Sequence, residues 1–154
     1  MLQYDFEESV GCWVFTTRHE MSRAMNEELA AHGITYRQWE VLAWISYSGE
    51  LTQAELAESM SIEAPTLVGV LDRMERDGWI VRVPAENDRR KKLVRATERV
   101  EPMWATMIQC AHRVRDRAIQ GLSHEQLVTL KEMLATIRNN LAATEKVAQR
   151  DAVQ

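Results

Sequence analysis

Four consecutive basic residues (RRKK, residues 89–92) are the most distinctive chemical feature of the sequence. From Arg82 to Arg95 there are six basic and two acidic residues, a net charge of +4, although the 154-residue chain as a whole carries −4. An acidic protein that concentrates positive charge in one segment places it against an anionic partner. For a basic tetrapeptide alone, a solvated hairpin tip would be the preferred interpretation, so the surrounding sequence decides.

The residues before the basic run predict two helices joined by a turn. Thr52 and Glu55 have the spacing of a capping box, which begins the first helix. Ser61 or Glu63 begins the second helix, and Gly78 ends it because glycine adopts the left-handed conformation cheaply. Apolar residues recur at helical spacing in the short helix (Leu56, Ala57, Met60) and in the longer one (Leu67, Val70, Leu71, Met74).

Two short strands are predicted around the basic run. Trp79–Val83 is rich in β-forming residues and is closed by Pro84, Ala85–Asp88 is turn-like, and Leu93–Arg95 forms a return strand. A helix-turn-helix followed by a β-hairpin is a winged helix. Its second helix enters the major groove of DNA, and the hairpin reaches the backbone or the minor groove. In this context DNA contact becomes the preferred interpretation of the basic run.

Residues 51–97 resemble the winged helix of the MarR family of bacterial transcription regulators. The motifs are LTQAELAE, PTLVGVLDRMERDGWIVR and DRRKKLVRAT, in this order and spacing. The flanking helices fit too, so the resemblance covers about residues 6–148. IEAPTLV, NDRRKK and TERVEP are most similar to the SlyA-like branch. The implied fold is mainly α with a small β-hairpin: a winged helix-turn-helix (residues 35–97) flanked by N- and C-terminal dimerisation helices (residues 1–34 and 98–154).

The flanking segments predict long amphipathic helices. A first helix covers Phe6–His32, Thr35 caps a second, Thr97 begins a third that Gly121 ends, and a capping box at Ser123–Gln126 begins the last. The first, third and last helices carry long apolar stripes that they can cover only partly in one chain, so we expect a homodimer. The resemblance implies the same dimer. Two-fold pairing also places two recognition helices about one DNA turn apart, which suits a palindromic site.

The recognition helix exposes its early positions to the groove if Leu67, Val70 and Leu71 face inward. Thr66 can hydrogen-bond to a base edge or a phosphate, and Ala64 can contact a thymine methyl group. SlyA-like members often carry a basic residue where this chain has glycine, which removes the obvious base-reading arm. The predicted groove positions are Ala64, Pro65, Thr66, Gly69 and Arg73.

The wing carries the family's D-x-R element as Asp88 and Arg90. The resemblance implies that the aspartate braces the hairpin and that the arginine enters the minor groove. Narrow A·T-rich grooves attract arginine through their enhanced negative potential. Arg89, Lys91 and Lys92 are either phosphate contacts or solvated charges.

The resemblance also implies a small-molecule site between the dimer helices and the winged helix, where phenolic or carboxylate compounds bind and release DNA. His19, Tyr36 and Trp39 are the candidates at matching positions. An aromatic wall with a titratable imidazole suits an aromatic acid. The ordinary alternative is that Trp39 is plain core and His19 a surface residue.

Other chemistries have less support. Peroxide-sensing members carry a reactive cysteine at the position of Gly11, and Cys12 is turned from it by about 100° on a helix. A buried inert thiol is preferred, and thiol-based sensing through Cys12 stays the alternative. Two cysteines and four scattered histidines form no metal-ligand pattern, and no nucleophile elbow, phosphate loop or paired-carboxylate site indicates an enzyme. We therefore expect no metal, cofactor or catalytic residue.

The chain has no apolar run of the ~18–20 residues that a membrane span needs, and no signal-peptide pattern. The combined prediction is a cytoplasmic, homodimeric regulator of transcription that binds double-stranded DNA, acts as a repressor and responds to a small-molecule effector. A winged helix that binds protein is the competing class. Such a module would have no need for the basic run of the wing.

Overall fold

The structure, a computed structural model, describes residues 5–85, 88 and 91–151, with side chains as far as residue 142. This part of the chain forms two compact units, which meet in sequence between Arg115 and Asp116. The predicted winged helix with flanking helices is confirmed. The helices are α1 (Val10–Ala30), α2 (Tyr36–Ser48), α3 (Gln53–Met60), α4 (Ala64–Arg76), α5 (Glu101–Ala118) and α6 (His124–Asp151). The strands are β1 (Leu51–Thr52), β2 (Ile80–Pro84) and β3 (Lys92–Ala96).

The capping box before α3 is formed as predicted. The Glu55 amide donates to Thr52 Oγ1 at 3.2 Å, and Thr52 donates to Glu55 Oε2 from its amide at 2.8 Å and from its hydroxyl at 2.7 Å. Ser61 ends α3 in the left-handed conformation, with φ 52°, so it is not the cap of the next helix. Glu63 is the N-cap of α4, without a side-chain cap bond. Of the two starts that the sequence left open, the later one is correct.

Helix α4 buries the face that its periodicity predicts. Leu67, Val70, Leu71 and Met74 are all buried in the main core of the first unit. The helix has 13 residues, and isolated helices of that length are marginal in water. This packing therefore stabilises the helix and determines which of its sides faces outward.

The sheet has three strands in the order β1–β3–β2, one more than the sequence analysis expected. Leu51 pairs with Val94 and Thr52 with Leu93, so the residue that caps α3 also joins the sheet. Strands β2 and β3 pair antiparallel from Ile80–Ala96 to Pro84–Lys92. Because β1 is only two residues long, its sequence shows no alternation of apolar and polar residues from which a strand could be predicted. Its pairing depends on a strand more than 40 residues away.

Two helix starts differ in detail from the predicted ones. Helix α1 begins at Val10 rather than Phe6, because Ser9 accepts the Cys12 amide at 3.2 Å as an N-cap. At the other boundary, a 3-10 turn (Glu98–Val100) precedes α5. The Thr97 hydroxyl does not cap that turn, because it donates to the Gly78 carbonyl at 2.6 Å.

The second unit contains α6. The Ser123–Gln126 capping box is formed, with bonds of 2.8 and 3.2 Å between the backbone amide of each residue and the side chain of the other. Large apolar side chains on this helix are exposed in the single chain, including Leu130, Met133 and Leu134. The predicted apolar stripe is therefore uncovered over much of its length.

The α3 cap gives a pH-dependent prediction. Hydrogen bonds from Thr52 and, to a smaller extent, the charge of Lys91 lower the pKa of the Glu55 carboxyl below its ordinary value of 4.5. A lowered folded-state pKa adds stability that is present above the ordinary value and is lost as the pH falls through the lowered one. We expect Glu55→Gln, which keeps a capping-box residue, to decrease the free energy of unfolding at pH 7. That deficit should shrink in acid.

Urea denaturation of both proteins from pH 7 down to the acid limit of folding measures this difference. Glu58→Gln, an exposed carboxylate on the same helix, is the matched control, and its deficit should stay near zero throughout. A Glu55→Gln deficit that is the same at every pH would contradict the assigned pKa.

Candidate nucleic-acid interface

The exposed side of α4 contains all five predicted groove positions. Ala64, Pro65 and Thr66 are exposed in its first turn, Gly69 is half-exposed, and Arg73 is exposed one turn later. None of them belongs to the core, which takes Leu67, Val70, Leu71 and Met74 from the same helix. The packing of α4 thus brings these five together on the surface.

Gly69 and Arg73 share one patch of this surface. A Cβ placed on Gly69 would lie 3.9 Å from Arg73 Nη1, with no closer neighbour. Arg73 forms no ion pair or hydrogen bond within the described part of the chain. The Arg73 guanidinium is therefore available to a partner, beside the position where Gly69 provides no basic side chain to contact a base.

Arg82 at the start of the wing has a structural role. Its side chain is only 12% exposed, and it binds Asp72 Oδ1 at 2.7 Å and Glu75 Oε2 at 2.9 Å, both on α4. Its amide also donates to Glu75 Oε1 at 3.1 Å. The third guanidinium nitrogen, Nε, is buried without a partner, which offsets part of the gain. We refer to Arg82, Asp72 and Glu75 as the wing clamp, because they join β2 to the recognition helix.

Arg95 in β3 is also paired within the protein. It binds the Glu50 carboxylate through Nε and through Nη2, the second bond being 2.8 Å. Arg82 and Arg95 are two of the six basic residues between positions 82 and 95. Since both face carboxylates, the charge available to a partner is concentrated near the hairpin tip.

The tip is described in part. Ala85 donates its amide to the Lys91 carbonyl and Lys91 donates its amide to the Asp88 carbonyl, each at 2.9 Å, so the hairpin continues past β2 and β3. Lys91 and Lys92 are exposed, and Asp88 is half-buried. Arg89 and Arg90 lie outside the described residues. The predicted minor-groove contact of Arg90 therefore stays a prediction.

The predicted ligand residues are placed on two helices of the first unit. His19 is exposed on α1, and Tyr36 and Trp39 are half-buried on α2. The Tyr36 amide donates to Asn26 Oδ1 on α1 at 3.3 Å. Trp39 stacks on Trp104 of α5, with ring centroids 5.3 Å apart and an interplanar angle of 21°. Trp39 thus packs against the core, and the ligand role of all three residues stays a prediction.

The two cysteines of the chain are not joined by a disulfide bond. Cys110 is buried, with Arg113 Nη2 3.2 Å from its sulfur, and Cys12 is half-buried; both are free. Among residues 5–85, 88 and 91–151, no three or more histidine, cysteine or acidic side chains are grouped to hold a metal ion. No helix in that part of the chain is long and apolar enough to cross a membrane.

Comparison with known proteins shows where this arrangement occurs. Residues 34–92 match the model of the MarR family. The match runs from just before α2 to the first residue of β3. The structure of transcriptional regulator PA3341 is 26% identical, with a TM-score of 0.81 over 88% of this chain and 99% of that one. Wild-type apo MarR from E. coli is 26% identical, with a TM-score of 0.71 over 84% and 96% of the two chains.

A cysteine-to-serine mutant of E. coli MarR has a structure in complex with operator DNA. It is 27% identical to this chain, with a TM-score of 0.69 over 88% of this chain and 99% of that one. This chain thus has the winged-helix fold of MarR-type transcriptional regulators. Its similarity to the SlyA-like branch stays a prediction.

The wing clamp is the feature of this MarR-family fold that sequence reasoning missed. Asp72 and Glu75 lie three residues apart on one side of α4, but their partner follows in a different element. No local pattern joins them to Arg82. The spacing of the two acids was the available signal, and it is also typical of an ordinary solvated helix face.

We expect Arg82→Met to decrease the free energy of unfolding by about 1–2 kcal/mol, because charge-assisted bonds are lost but the carboxylates are already half-exposed. DNA affinity should also fall, because the wing loses its attachment to α4. Urea denaturation and fluorescence anisotropy measure the two effects. Arg76→Met is the matched control, since Arg76 is exposed and lies 3.7 Å from its partner Asp77. Equal stability losses in the two variants would argue against the clamp.

Proposed function

We propose that this chain is a repressor that binds a palindromic operator as a homodimer and releases it when a small molecule binds. The exposed residues Ala64, Pro65, Thr66 and Arg73 on α4 carry the proposal. The core fixes their face outward, and Thr66 and Arg73 on it can donate hydrogen bonds to bases or phosphates.

The contacts divide into two kinds. Ala64, Pro65, Thr66 and Gly69 approach the major groove, where small side chains allow close contact with base edges. Arg73 lies one turn further along and binds a phosphate. Such backbone contacts position the protein on DNA without reading its sequence.

The wing supplies the second set of contacts. Arg90 enters the minor groove, and Asp88 supports the hairpin from which it extends. Arg89, Lys91 and Lys92 contact phosphates. Lys91 and Lys92 are exposed, which favours this role because their charges are accessible to a polyanion.

The homodimer rests on apolar surface that the single chain leaves uncovered. On α1, Val10, Trp13, Val14 and Met21 are exposed, and α6 exposes a separate apolar stripe. Large exposed apolar side chains in rows are typical of interaction surfaces. We assign residues 1–34 and 98–154 to the dimer contact and residues 35–97 to DNA binding. Two-fold symmetry of the protein then matches that of the operator.

The effector we propose from the family resemblance is a small aromatic acid bound near His19, Tyr36 and Trp39. The contact of Tyr36 with α1 supports a site where α1 meets α2. Thiol-based sensing through Cys12 has less support, because no described residue donates a hydrogen bond to that sulfur.

The test is fluorescence anisotropy with the DNA upstream of the protein's own gene, an unrelated duplex of equal length, and a salt series. We expect tighter binding to the first duplex, a stoichiometry of two chains per site, and affinity that falls steeply with salt. Arg90→Ala should weaken binding and leave the dimer intact. A winged helix that binds protein would bind neither duplex at low salt. Equal weak binding to both would remove the recognition role of α4.

Gly69 gives a second, independent prediction. It lies within α4, where an added Cβ would meet only Arg73 Nη1 at an ordinary van der Waals distance of 3.9 Å, so Gly69→Ala should raise the free energy of unfolding by about 0.5–1 kcal/mol. The added methyl group lies on the face that approaches DNA, so operator affinity should fall although the protein is more stable. Urea denaturation and the anisotropy assay measure the two effects separately. A variant that gains stability and keeps full affinity would exclude Gly69 from the groove contact.

A further inference from the structure

The Arg73 guanidinium lies beside Gly69, one turn closer to the start of α4 than its own backbone. A Cβ built on Gly69 would be 3.9 Å from Arg73 Nη1. Long side chains on a helix point back toward its N-terminus, so an arginine four residues later covers this position. Because Gly69 has no side chain of its own, the guanidinium takes the surface that a larger residue there would fill.

This surface is in the middle of the outward face of α4. Successive residues of a helix turn by about 100°, which places Pro65 and Gly69 opposite the buried side of the helix and the Cα of Arg73 toward its flank. The side chain thus carries the charge from the flank to the middle of the face. In a helix-turn-helix, the N-terminal part of the recognition helix is the part that contacts base edges. The guanidinium therefore lies among the predicted groove positions.

No carboxylate in the described part of the chain binds this guanidinium. Arg73 makes no ion pair or hydrogen bond there. Its nearest acidic neighbours on α4, Asp72 and Glu75, are both bound by Arg82 in the wing clamp. The clamp thus neutralises part of the negative charge that α4 would otherwise present to DNA, and it leaves Arg73 available to a partner.

The two other arginines of α4 and the clamp are in poorer positions to contact a base. Arg76 is the last residue of α4, and its guanidinium lies 3.7 Å from Asp77. The Arg82 side chain is 12% exposed and holds two carboxylates. Of the three arginines, Arg73 is the one whose guanidinium lies over the early turns of the recognition helix.

We propose that Arg73 reads a guanine in the major groove, and that Gly69 leaves the space its guanidinium needs. Two N–H donors of an arginine match the O6 and N7 acceptors of guanine, a pattern that distinguishes this base from the other three. The guanidinium has five N–H donors, so it can keep the phosphate contact as well. The inference rests on the proposed function, because it names a base that α4 selects in the groove it enters.

The base preference is measured on the full chain with a pool of random duplexes. The wild-type chain, Arg73→Lys and Arg76→Lys each select from the pool, and the bound duplexes are sequenced. We expect the wild-type chain to enrich a motif with a G·C pair at the same place in each half-site. Arg73→Lys keeps the positive charge but loses the bidentate fork, so it should lose this preference and keep the others. Arg76→Lys, the matched control, should select the wild-type motif.

Replacing the selected guanine by 7-deazaguanine tests the contact itself, because this base pairs normally but lacks the N7 acceptor. Fluorescence anisotropy should show about three- to tenfold weaker binding by the wild-type chain. Arg73→Lys should bind the two duplexes with nearly equal affinity. Gly69→Leu puts a good helix former into the space of the guanidinium and should lose the same preference. Combined with Arg73→Lys it should cost little more, because both changes remove one contact.

An unchanged motif for Arg73→Lys, with affinity reduced by the same factor on every duplex, would overturn the base contact and leave Arg73 as a phosphate contact. A G·C preference that survives Gly69→Leu would overturn the role of Gly69. If the wild-type chain enriched no motif, the proposed function would fail together with this inference. Urea denaturation checks that each variant is folded. Arg73→Lys changes an exposed side chain, so it decides the base contact even if Gly69→Leu does not fold.

Discussion

The burial of one face of α4 is the constraint on which the rest of the structure depends. Four apolar side chains hold a helix that is too short to persist alone, and in doing so they fix its rotation. Every residue proposed to meet DNA on this helix is exposed or half-exposed, because Leu67, Val70, Leu71 and Met74 face the core. Recognition and folding therefore draw on the same 13 residues, and a core substitution that rotated α4 would misplace all five groove positions together.

Charge in this chain is used in two different ways. Near the base of the wing, Arg82 and Arg95 are bound to carboxylates and contribute to position rather than to the field that a polyanion meets. Toward the tip, Lys91 and Lys92 are exposed, so their charges act on an incoming partner. The net charge calculated from the sequence counts the paired and the exposed basic residues alike. For electrostatic steering, the second group is the relevant one.

Much of the fold was predictable because its signals are local. The capping boxes at Thr52 and Ser123 and the apolar period of α4 are each formed by residues only a few positions apart. All three were confirmed. Strand β1 and the partner of Arg82 could not be found, since each depends on a contact between distant segments. The groove and ligand residues are a different case. Packing shows which side chains are exposed, but contact with DNA or an effector depends on a second molecule.

Thr97 gives the clearest physical basis for coupling between a ligand and DNA binding. Its two bonds go to backbone carbonyls of Gly78 and Trp79, so they constrain the chain path and not one side chain. Gly78 has φ 77°, a conformation that other residues rarely adopt, and a Cβ at this position would lie 3.1 Å from Arg99 Nη1. A ligand can shift such a junction only by the difference between its affinities for two states. An effector meets this condition only where its contacts differ between the free and the operator-bound forms of the protein.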